Sequence, residues 1–93
     1  MKPDKNKTKK IDDEQCIQIG ESTWNPKNDS IRNCIRKNGK FSRSASSELS
    51  PWSLKQMVCH AAKYNLLKPN DCKAIIRALT ESIQRQNKKA ISN

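Results

Sequence analysis

Glycine and histidine are scarce in this chain, at two residues and one among 93, and aromatics amount to 4%. Two glycines leave no loop whose backbone could cradle a phosphate, and no G-x-G-x-x-G or G-x-x-x-x-G-K occurs. With His60 as the only imidazole, next in sequence to Cys59, there is no nucleophile–base pair: adjacent residues on a helix point about 100° apart. C-x-x-C and H-E-x-x-H are both missing, and Cys59, His60 and Cys72 lack the spacing of zinc ligands. An enzyme is therefore not expected, nor a metal or other cofactor. No apolar run approaches the ~20 residues of a membrane-crossing helix. The opening MKPDKNKTKK lacks the apolar stretch of a secretory signal, so the expected setting is cytoplasmic, or nuclear in a eukaryote, and not secreted.

Acid is also in short supply. Nine Asp and Glu face 19 Lys and Arg, a net charge of +10. The imbalance is uneven: residues 1–10 hold five Lys against Asp4, whereas residues 11–22 hold Asp12, Asp13, Glu14 and Glu21 and no base. The first ten residues have almost nothing to bury and read as a disordered basic arm. Residues 89–93 read as a frayed tail, leaving a single domain over 11–88 whose small core makes partners useful. The four cysteines, Cys16, Cys34, Cys59 and Cys72, match no compact disulfide scaffold and read as reduced thiols packed as small apolar groups.

The expected fold is mainly all-α. Ser50-Pro51 is a helix start, with Ser as cap and Pro at the first turn, and Leu54, Met57, Val58 and Ala61 then recur on one face through about residue 66. Pro69 opens a second helix whose stripe is Cys72, Ile75, Ile76, Leu79 and Ile83, running to about residue 87. Two such stripes joined by a short connection predict an antiparallel αα-hairpin. Ile31, Cys34 and Ile35 have helical spacing, and Asn38-Gly39 fits a helix stop, so a short helix is expected over 30–38. Residues 12–19 fit either a strand or a helix. The serine-rich stretch 40–50 reads as an exposed loop.

Two functional readings from different classes follow. The first is a small basic regulatory protein that binds nucleic acid, DNA before RNA. Arg32, Arg36, Lys37, Lys40 and Arg43, with Phe41 among them, would hold phosphate while the ring stacks. The C-terminal helices would form a helix-turn-helix-like pair in which Lys68, Asn70, Lys73 and Arg77 face a groove; Asn can read adenine and Arg guanine. The second is a helical interaction module for a partner protein with an acidic surface, anchored by Trp52, Cys59 and Leu66, which recur every seven residues on a flank of the first helix. Either reading accommodates a homodimer, and neither needs a membrane.

Overall fold

The computed structural model describes residues 1–42 and 47–92, with side chains through Lys89. Among the described residues six strands form one curled antiparallel sheet: β1 (Lys2–Pro3), β2 (Lys9–Lys10), β3 (Gln15–Glu21), β4 (Asp29–Lys37), β5 (Lys40–Phe41) and β6 (Ser47–Leu49). Two helices follow, α1 (Pro51–Lys63) and α2 (Pro69–Ser92). Helix accounts for 44% of the chain and strand for 29%, so the expectation of a mainly all-α domain is wrong.

The sheet is built on the β3–β4 ladder, whose register runs from Gln15↔Ile35 to Glu21↔Asp29. Successive strand side chains alternate between faces. Ile17, Ile19, Ile31 and Ile35 therefore share one half-buried face, while Cys16, Gln18, Gly20, Ser30, Arg32, Cys34 and Arg36 share the other. This alternation explains the first correction: 30–38 is a strand, not a short helix. Ile31 and Ile35 are four apart, a spacing that serves both periods, and β-branched residues favour the pleated one once a partner strand is present. Residues 12–19, equally open to either reading, resolve as the start of that partner.

The N-terminal residues are not a disordered arm. β1 and β2 pair with β3, joined by a 3-10 turn at Lys5–Lys7 that Asp4 caps through Asn6 N–H at 2.9 Å. Gly20 makes the β1 pairing feasible, because a Cβ there would collide with the Lys2 carbonyl. Asp12 shapes the β2–β3 turn, its Oδ1 accepting from the N–H groups of Glu14 and Gln15, both at 2.8 Å. On the other side of β4, β6 pairs as Ile31↔Leu49, Arg32↔Glu48 and Asn33↔Ser47, and β5 pairs nearer its end. Part of the expected 40–50 loop is thus strand, and Arg43 lies outside the described residues.

Cα packing divides the chain into two units, Met1–Met57 and Val58–Asn93. In the first, the buried residues among those described are small: Cys34, Ser22, Ser30 and Gly20. The last helix of this unit starts as its sequence demands, Ser50 Oγ accepting from Ser53 N–H at 3.1 Å. In the second, α1 ends in a left-handed Asn65 (φ 56°), with Leu66 N–H on Ala61 C=O at 3.0 Å and Asn65 N–H on Ala62 C=O at 3.2 Å. These two bonds are those of a Schellman stop. Beyond it α2 runs 24 residues; Cys72 and Ile75 of its stripe are half-buried, whereas Ile76 is 61% exposed, Leu79 56% and Ile83 58%. Leu54 and Met57 on α1 are exposed too. These five residues, expected in the core of an αα-hairpin, are all exposed.

Candidate nucleic-acid interface

Asn38 (φ 54°) and Gly39 (φ 76°) both take positive φ, which makes the two-residue turn between β4 and β5 a type I′ hairpin. That turn brings Lys37 directly opposite Lys40 and Arg36 opposite Phe41. Like charges facing each other across a ladder repel, and these two lysines do so at an exposed tip.

Arg32 anchors the inner end of the patch. Its Nε and Nη2 donate to Gln18 Oε1 at 3.1 and 2.6 Å, and its Cζ lies 4.8 Å from the centroid of the Phe41 ring. The amide holds the guanidinium without neutralising it. Glu48, across the ladder from Arg32, instead accepts from Thr23 Oγ1 at 3.2 Å. Among the described residues none of Arg32, Arg36, Lys37 and Lys40 pairs with a carboxylate. Four cations and an aromatic ring that is 45% exposed therefore lie along β4 and β5.

The opposite sign stands close to Arg36. Its backbone N–H bonds Glu14 C=O at 2.7 Å, and a cavity of about 300 Å³ is lined by Lys10, Asp12, Asp13, Glu14, Gln15, Cys16 and Arg36. Lys10 Nζ sits 3.4 Å from Asp13 Oδ1. These acids partly offset Arg36, while the Lys37–Lys40 tip lies beyond them along the strand.

Cys16 and Cys34 face each other in the β3–β4 register, and all four cysteines are free thiols. Burial pushes the Cys16 thiol up, a hydrogen bond with Cys34 and that neighbour's charge add to it, and Arg36 and Arg32 oppose the shift. The described residues hold no cluster of three or more His, Cys, Asp or Glu arranged for a metal ion, and no helix among them is long and apolar enough to cross a membrane.

The remaining candidates lie on the helices. Lys68, Asn70, Lys73 and Arg77 are exposed around the first turns of α2. Together they make a basic face at the start of that helix. Trp52 is 68% exposed, Leu66 76%, and Cys59 is exposed as well. Gln18, which orients Arg32, carries no signal in the sequence; its place opposite Arg32 follows only from the ladder register. No protein-family model, curated protein or solved structure matches the chain.

Proposed function

We propose that this chain is a non-enzymatic nucleic-acid-binding protein, regulatory in role, acting on DNA before RNA in the cytoplasm or nucleus, and that the β4–β5 ribbon is its phosphate-binding element. One observation carries the reading: Lys37 and Lys40 oppose each other at a I′ tip with no carboxylate partner among the described residues, beside the Arg32–Phe41 pair. A phosphate between the two lysines relieves their repulsion and releases counterions, which is the main source of non-specific affinity. A two-stranded ribbon also fits the width of the major groove. Fluorescence anisotropy with random duplex DNA at low salt tests this. Lys37→Gln with Lys40→Gln is expected to weaken binding while leaving the sheet intact, since both side chains are exposed. Undiminished binding by that variant removes the ribbon from the account.

The exposure of Trp52 and Leu66 favours a second reading, capture of a partner protein with an acidic surface. Buried aromatic anchors dominate such interfaces, so Trp52→Ala would abolish capture and charge changes would mainly slow association. A chain that binds no nucleic acid at low salt but retains a Trp52-dependent partner supports this second role alone.

A further inference from the structure

Cys16 and Cys34 are far apart in sequence, and spacing alone gives no reason to pair them. The β3–β4 register sets them directly opposite each other, so their side chains share one face of the sheet. Their thiols are hydrogen-bonded to each other, and both are free. Cys34 is buried, whereas Cys16 is half-buried and lines the cavity that also holds Lys10 and Arg36. One thiol is thus open to a reagent, and the other lies behind it.

The ladder fixes how well a bond between them fits. Arg36 N–H donates to Glu14 C=O at 2.7 Å, and Ser22 N–H donates to Asn28 C=O at 3.0 Å. Counted in twos along the register from either of these bonds, Cys16 and Cys34 fall on a hydrogen-bonded pair. The Cα atoms of such a pair stand about 5.5 Å apart, inside the range of about 4.4–6.8 Å that a disulfide spans. Its Cβ atoms, also at about 5.5 Å, are wider apart than the roughly 3.5–4.5 Å of a disulfide. Closing the bond therefore draws β3 and β4 together by about 1 Å and leaves it strained. A strained disulfide is readily reduced, which makes this a reversible link and not a permanent staple.

We infer that Cys16 and Cys34 form a reversible cross-strand disulfide, with a low-molecular-weight disulfide such as glutathione disulfide as the oxidant. Cys16 Sγ attacks one sulfur of the oxidant, whose S–S bond breaks and releases one small thiol. Cys34 Sγ then attacks Cys16 Sγ, and the second small thiol leaves. Two electrons and two protons pass in this way from the protein thiols to the two small thiols released. Burial keeps Cys16 protonated beyond the ordinary thiol range, against the pull of Arg36 and Arg32, so the exchange is slow at neutral pH and quickens with alkali. Cys59 and Cys72 lie on the helices, outside this ladder. The inference is independent of the nucleic-acid reading.

Incubation of the full folded chain with glutathione disulfide at about pH 8.5, then acid quench and mass spectrometry of the tryptic peptides, tests it. The expected product is a disulfide joining peptide 11–27, which holds Cys16, to peptide 33–36, which holds Cys34, with the loss of two hydrogens. An excess of about tenfold reduced glutathione should open it again, where a structural disulfide would resist. Cys34→Ser should leave Cys16 carrying glutathione, because no thiol remains opposite to displace it. In the wild-type chain, mixed disulfides alone, or a link to Cys59 or Cys72 in place of this one, overturn the inference. A Cys16–Cys34 bond that survives reduced glutathione overturns its reversibility. A Cys34→Ser chain with no glutathione on Cys16 overturns Cys16 as the attacking thiol.

Discussion

The guanidinium of Arg32 lies 4.8 Å from the centroid of the Phe41 ring while two of its N–H groups hold Gln18 Oε1. Three strands, β3, β4 and β5, are thereby tied through one side chain. A double-mutant cycle should read this directly. Arg32→Ala and Phe41→Ala are expected to be non-additive in thermal stability by about 0.5–1 kcal/mol, the size of a cation–π pair at a partly exposed site. Strict additivity would mean that the pair carries no energy.

At Gly20 the N-terminal strand approaches too closely for any Cβ. Gly20→Ala should displace β1 and cost roughly 1–3 kcal/mol, as overpacking does. A loss of 1 kcal/mol lowers the Tm of a domain of this size by about 4–8 °C. Hydrogen exchange should show the protection of the Asp4 amide, which donates to Ile19 C=O at 2.8 Å, falling with it. An unchanged Tm would show that β1 contributes nothing to the sheet.

The acidic turn works against the ribbon. Asp13→Asn releases Lys10, and Glu14→Gln removes a charge beside Arg36, so the pair of changes should tighten DNA binding several-fold at low salt. The gain should disappear at about 1 M salt, where the Debye length is about 3 Å. Asp12 is left alone because it holds the turn. Equal affinity in the neutralised variant at low salt would place the bound phosphates away from Arg36.

Cys16 is held in its thiol form mainly by burial, then by Cys34. With iodoacetamide at neutral pH, peptide mapping should therefore find exposed Cys59 alkylated well before Cys16, and buried Cys34 last. The folded Cys16 binds its proton more tightly than the unfolded one. The stability it contributes is thus complete below the ordinary thiol value of 9.0 and is lost as pH rises beyond it. Cys16→Ser should flatten part of the fall in Tm above that pH. Identical alkaline profiles would mean that the burial of this thiol is not felt.

What can be read from the sequence is local chemistry, and what cannot is pairing. The Ser50-Pro51 start of α1 and the Pro69 start of α2 are fixed by residues next to them, and both hold. Ile31 and Ile35 are four apart and fit either period, while Asn38-Gly39 serves equally as a helix stop or a I′ turn. Taken as a helix stop, it deprives a strand over Cys16–Ile19 of its partner, which leaves residues 12–19 open between strand and helix. The lysine-rich start looks too polar to fold, since propensity says nothing about edge strands that hold by backbone pairing alone. The basic run 32–40 is legible from charge; the alternation that sets Arg32 and Arg36 on one face and Lys37 and Lys40 at the tip needs the register.

Phosphate binding by the β4–β5 ribbon should be read from the salt dependence of DNA affinity. Plotted as log K against log salt for random duplex, the wild-type slope should be steep. Lys37→Glu with Lys40→Glu should flatten it by about 0.9 for each phosphate that is no longer neutralised, close to two in all. Arg77→Glu on α2 should change the slope by less. A slope that the ribbon variant leaves untouched, while Arg77→Glu flattens it, would contradict the account and move the interface to the helix.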